Sequence, residues 1–144
     1  MDNIKDLIAR ANSGDSEAQL ALDKATGSPE GTYAQAVNSV VHAKKAAENG
    51  DINAVKALGS AYFLGVGTEK DINLAVNWYK KAAEKSDPEA LFRLGQIYFS
   101  EYDEYEKAKS LINEAVKRKP IEGVTQAEID YMLESIESVM KAKM

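Results

Sequence analysis

The sequence predicts an all-α fold: a short α-solenoid of about three helix-pair repeats with a capping helix at each end. Three observations predict it. First, the block Gly14-Asp15-Ser16-Glu17-Ala18 returns as Gly50-Asp51-Ile52-Asn53-Ala54 and as Ser86-Asp87-Pro88-Glu89-Ala90, so Asp15, Asp51 and Asp87 stand 36 residues apart. Leu22, Leu58 and Leu94 follow at one position of the three copies, with Gly59 and Gly95, then Tyr62 and Tyr98, in the second and third. Second, each block opens on an aspartate whose carboxylate suits a helix N-cap, where it accepts from backbone N–H groups that have no helical partner. Third, 21 of the 144 residues are Ala against 3 Phe and 1 Trp, and small side chains let helix backbones approach closely. One helix pair cannot bury its own apolar face, so stacking on neighbours must complete the core.

The elements follow in order. Residues 1–13 are expected to form an N-terminal cap helix, the second helix of an otherwise missing copy, with Ile4, Leu7 and Ile8 on its apolar face. A degenerate repeat spans 14–50; Asp15 caps its first helix, and Thr32-Tyr33-Ala34-Gln35, with the T-x-x-Q form of a capping box, opens its second. The repeat 51–86 has Asp51 as its first cap, Gly65-Val66-Gly67 as a left-handed turn, and Asp71 as its second cap. Its Lys81-Ala82-Ala83-Glu84 restates Lys45-Ala46-Ala47-Glu48. In the repeat 87–120, Pro88 sits at a first helical position, where its missing donor costs nothing, and Ala115 follows Ala82 by only 33 residues, so a loop is shortened. Residues 121–144 form the C-terminal cap, opened by the capping box Thr125-Gln126-Ala127-Glu128, with Ile129, Met132, Leu133, Ile136, Val139 and Met140 at helical spacing. Helices are thus expected near 3–12, 16–26, 33–48, 52–64, 72–85, 88–99, 104–118 and 126–142, and no strand.

Composition narrows the chemistry. Cys is absent and His occurs once, which removes disulfides, thiolate metal sites and cysteine nucleophiles, and leaves zinc and general-base constellations without material. The net charge of -5, from 18 basic and 23 acidic residues, lacks the positive field that phosphate backbones and anionic membranes attract. Neither nucleic acid nor a membrane is an expected partner. Met1-Asp2-Asn3-Ile4-Lys5-Asp6 has no basic leader and no long apolar run follows, so a cytoplasmic location is expected.

Ala54, Leu58-Gly59, Tyr62, Gly65-Val66-Gly67, Lys70-Asp71, Ala75, Trp78-Tyr79 and Lys81-Ala82-Ala83-Glu84 closely resemble the Sel1-like repeat, a helical-pair relative of the tetratricopeptide repeat. The copy from Asp87 keeps Ala90, Leu94-Gly95 and Tyr98. It replaces the glycine loop with Glu101-Tyr102-Asp103-Glu104-Tyr105 and has Leu111-Ile112 where Trp78-Tyr79 stand. The first copy has Thr26 in place of Tyr62. The resemblance covers roughly Gly14 to Pro120 and implies a right-handed α-α superhelix, acting as an adaptor or assembly scaffold.

In that architecture the first helix of each pair lines a concave face. Asn53, Lys56, Ser60 and Phe63 are then expected to face the groove in one copy, and Glu89, Phe92, Gln96 and Phe99 in the next. Phe92, Gln96 and Phe99 make a stripe distinct from that of Leu91, Leu94 and Tyr98, and two apolar stripes call for two packing partners. Either a partner protein covers the phenylalanines, or they cover one another and the closing helix. The acidic loop, with Glu101, Tyr102, Asp103 and Tyr105, is a second candidate surface or else a solvated turn. His42 aligns with Trp78 and is expected to fill the same inter-helix slot; a catalytic or ligand role would need carboxylates brought close by folding. Gly65-Val66-Gly67 lacks the strand and the Lys-Ser/Thr of a phosphate loop, so it reads as a turn. Lys44-Lys45, Lys80-Lys81 and Lys117-Arg118-Lys119 fall at helix C-termini, where they complement the dipole; a phosphate-binding stripe is the alternative.

The expected function is a non-enzymatic protein-protein interaction module, monomeric or weakly dimeric, without cofactor or metal. The alternative is an immunity or inhibitor protein that neutralises a cognate bacterial toxin. Short proteins resembling Sel1-like repeats occur in bacteria beside secreted toxins, and the net charge of -5 suits steering toward a basic toxin domain. A small hydrolase or small-molecule binder using carboxylates and Tyr is the third reading. Relatives connected with cell-wall ligands are exported and rich in Cys, traits absent here.

Overall fold

The computed structural model describes residues 3–118 and 120–144. Met1, Asp2 and Lys119, the last of the third basic run, lie outside the described residues. Eight α-helices follow in order among the described residues: α1 Ile4–Asn12, α2 Ser16–Thr26, α3 Thr32–Glu48, α4 Ile52–Leu64, α5 Ile72–Ala83, α6 Pro88–Glu101, α7 Tyr105–Val116 and α8 Gln126–Ala142. The described residues contain no strand.

The repeated aspartates act as the sequence predicts. Asp15 accepts from the backbone N–H groups of Glu17 and Ala18, Asp51 from Asn53 and Ala54, Asp71 from Leu74, and Asp87 from Ala90, with Pro88 in the first turn of α6. Thr125 forms the expected capping box on α8: it accepts from Glu128 N at 3.2 Å, and its own N–H donates to the Glu128 carboxylate at 2.7 Å. The box expected at Thr32-Gln35 does not form. Thr32 is already helical, Gly31 is the cap at φ 91°, and Thr32 Oγ1 donates to Pro29 O. A residue from the previous helix does the capping instead. The buried Asp23 carboxylate accepts from Gly31 N and Tyr33 N, each at 2.9 Å. Two well-aligned donors to a charged acceptor outweigh a single exposed hydroxyl, which is why the local motif loses.

The chain divides into two compact units, Met1–Trp78 and Tyr79–Met144, with the boundary inside α5. In the first unit, Ala11, Ala18 and Leu22 form a small core flanked by Leu7, Ile8 and Tyr33. Gln19 Nε2 donates to Ala11 O, and Tyr33 Oη to Asn12 Oδ1 at 2.8 Å, tying α1 to α2 and α3. Burial pushes the Tyr33 phenol up. A second cluster joins Val40, Leu58, Tyr62 and Ala75, with Phe63 and Trp78 packed against it. Gly67, at φ 75°, lies so close to α3 that a Cβ there would overlap the Ala36 carbonyl. The glycine turn serves this close approach.

In the second unit α6 is buried around most of its circumference, through Ala90, Leu91, Phe92, Leu94, Gly95, Ile97 and Tyr98. A Cβ on Gly95 would stand 2.5 Å from Ile112 Cγ1, so the missing side chain lets α6 and α7 meet. Ile129, Met132 and Ile136 supply the buried face of α8.

Candidate functional site

An open groove runs along the seam between the packed helices α3 and α4 in the first unit. It measures about 340 Å³ and is walled by Ala36, Ser39, Val40 and Ala43 on one side and Ala57, Leu58, Ser60, Ala61 and Leu64 on the other, with Val66 at its end. No charged side chain lines it. Its width follows from the sequence, because alanine and serine at helical spacing on both walls leave space that leucine would fill. Leu64 and Val66 are 62% and 51% exposed, although both are large and apolar. An apolar trough ending in two uncovered aliphatic side chains can seat apolar side chains of another molecule, with the Ser39 and Ser60 hydroxyls as its polar groups.

The expected groove residues divide. Ser60 lies in this groove. Asn53 is exposed on the same helix, while Lys56 is partly buried. Phe63 packs against the Val40–Tyr62 cluster, with Lys70 Nζ 5.9 Å from its ring centre, and Leu64 takes the open position beside it. In the second unit Glu89 and Gln96 are partly buried; Gln96 Oε1 accepts from Arg93 at 3.0 Å. Phe99 is partly buried against Tyr105.

Phe92 is a correction. Expected on a partner-binding face, it is wholly buried at 0% exposure. The second stripe of α6 runs into the core at its start, because that helix is covered on more than one side and an aromatic ring is best placed where water is excluded. His42 is a second correction: it is exposed on α3 rather than seated in the Trp78 slot. The buried residues of that helix are Val37 and Val40, and His42, two positions beyond Val40, falls on the opposite face. Leu64, Val66 and the small residues of α3 were missed by the aromatic stripe. The signal available for them was the spacing of Ala57, Ser60, Ala61 and Leu64, together with that of Ala36, Ser39 and Ala43.

The acidic loop forms the α6–α7 tip. Tyr105 Oη donates to Asp103 Oδ1 at 2.9 Å, and Asp103 holds the left-handed conformation at φ 53°, where a glycine stands in the preceding repeat. Tyr98 pairs with Tyr102, and Phe99 with Tyr105, each at 5.6 Å between ring centres. Lys107 lies over Tyr98 at 4.3 Å and Lys143 over Tyr105 at 4.9 Å. A cleft of about 570 Å³ opens beside these residues. Between α7 and α8 a third, polar cleft is bridged by Lys109 and Glu137 at 2.7 Å; the pair raises the ammonium pKa and lowers the carboxyl one. Arg118 donates to Glu114 O near the end of α7, in keeping with a dipole-complementing role for the third basic run. Among the described residues no group of three or more Asp, Glu or His stands ready to hold a metal ion, and no helix is long and apolar enough to cross a membrane.

Capped helix pairs recurring at a fixed period, with cores shared between neighbouring helices, define an all-α helical-repeat protein. The chain belongs to the Sel1 repeat family, whose repeat is matched over residues 27–51, 53–87 and 88–115. Repeats of this family are protein-interaction modules. The chain is similar to a solved Sel1 repeat protein from Oxalobacter formigenes, at 28% identity and a TM-score of 0.55, over 92% of this chain and 97% of that one. No curated protein matches. The first match begins at residue 27 and leaves out α2, the part of the first copy in which Thr26 replaces the tyrosine of the later ones.

Proposed function

We propose that the protein is a non-enzymatic interaction module that seats an apolar segment of a protein partner in the α3–α4 groove. The observation that carries this reading is an uncharged trough with Leu64 and Val66 left uncovered, in a family whose repeats bind proteins. Uncovered aliphatic side chains at the end of a preformed groove lower the cost of association, since little has to move or be desolvated at a loss. The reading places the protein in the cytoplasm as a monomer or weak homodimer, and assigns it no cofactor.

Affinity capture from the native lysate with the wild-type chain and with Leu64→Asp tests it. Leu64 is mostly exposed, so the variant should keep its helical circular dichroism while losing the captured partner. Equal capture by both proteins would overturn the groove assignment. The net charge of -5 favours a partner with a basic surface, and the finer form of the reading is an inhibitor of a basic toxin domain. Co-expression with the product of a neighbouring gene decides that form: rescue of growth supports it, and no rescue removes it.

A further inference from the structure

The α6–α7 tip carries two aromatic pairs, and each already holds a cation of this chain. Lys107 places its Nζ 4.3 Å from the centre of the Tyr98 ring, and Lys143 places its Nζ 4.9 Å from that of Tyr105. The two ammonium groups are held differently. Lys107 also meets the Glu104 carboxylate at 3.9 Å, whereas the Lys143 ammonium has the ring alone among the described residues. The cleft is lined by three carboxylates, Asp103, Glu104 and Glu106, against Lys107 and Lys143; with Lys107 paired to Glu104, an incoming cation that displaces Lys143 meets an acidic wall. Beside Tyr105 the cleft of about 570 Å³ has Met140 and Met144 on its wall, an apolar surface suited to the methylene stem of a long basic side chain. A guanidinium is planar and less strongly hydrated than an ammonium, so it stacks on a phenol face at lower desolvation cost.

We propose that this tip is a docking surface for an arginine-bearing segment of a protein partner, which takes the Tyr105 face by displacing Lys143. The proposal rests on the partner-binding reading only in that the segment belongs to a protein; the surface is separate from the α3–α4 groove.

The test uses the full chain and a blocked pentapeptide, Gly-Arg-Gly-Arg-Gly, with its lysine and citrulline counterparts, followed by NMR titration of the Tyr105 ring and Lys143 side-chain signals. The arginine peptide should shift both sets of signals and bind about threefold more tightly than the lysine peptide, with citrulline inert. Lys143→Ala should tighten binding about twofold by clearing the face, and Tyr105→Leu should weaken it about fivefold at unchanged circular dichroism. Equal binding of arginine and citrulline peptides, or no tightening in Lys143→Ala, would overturn the proposal. Should Tyr105→Leu lose its fold, the Lys143→Ala result decides alone. Leu64→Asp should leave peptide affinity unchanged, so failure of the groove and failure of the tip are read separately.

Discussion

Single residues fix the closest approaches in this protein. At Gly67 a methyl group would meet the Ala36 carbonyl, and φ is 75°, so Gly67→Ala combines overlap with backbone strain. It should cost about 3 kcal/mol in urea unfolding. Gly123 shares the positive φ, at 74°, but a Cβ there meets nothing within 4 Å. Gly123→Ala should therefore cost only about 1 kcal/mol, and the difference between the two variants isolates the effect of packing. Phe92→Ala is the sharper case. Its ring is wholly buried, so the substitution should remove about 4 kcal/mol of stability through a cavity, rather than weaken partner capture in a protein of unchanged stability. A thermal melt indistinguishable from wild type would return Phe92 to the surface. From sequence alone the ring could be assigned to a stripe but not to a side of the core, because helical periodicity gives an angle and not what lies along it.

Among the elements, α3 shows how a neighbour replaces a local signal. Its first turn is held by Asp23, reached across the α2–α3 connection, and not by Thr32. Asp23→Ala strips two backbone N–H groups of a charged acceptor and should destabilise the first unit by about 2 kcal/mol. Hydrogen exchange should rise first at the amides of Gly31 and Tyr33. Protection unchanged at those two positions would contradict this account. The starts of α2, α4, α5, α6 and α8 were legible because each cap and its recipients lie within three residues. Asp15, Asp51, Asp71, Asp87 and Thr125 all cap as their spacing predicts. Local hydrogen bonding is encoded locally; an eight-residue reach to Gly31 depends on how the loop folds back.

Over the whole molecule, several exposed or partly exposed carboxylates share one response to acid. Asp15 is held below its ordinary range chiefly by the Ala18 N–H and Arg10, Glu114 by Arg118 and Lys117, Glu128 by Thr125, and Glu137 by Lys109. A carboxyl group whose pKa is lowered by folding stabilises the folded state fully above its ordinary value, and that contribution is lost as pH falls from there through the lowered folded-state value. The melting temperature should hold down to about pH 5 and fall below about pH 4.5, with Glu128→Gln and Glu137→Gln each flattening the decline. An acid limb unchanged in both variants would place the loss elsewhere. The sequence by itself determined the all-α class, the 36-residue period, the helix spans and the family, because repeated caps, glycines and apolar spacings are properties of neighbours along the chain. Only the tertiary structure decided that Phe92 is core, that His42 faces outward, that Asp23 caps α3, and that Leu64 and Val66 stand uncovered above a groove. Each of these turns on which surfaces meet across helices, and packing between elements distant in sequence sets burial in a way that no period along one helix can specify.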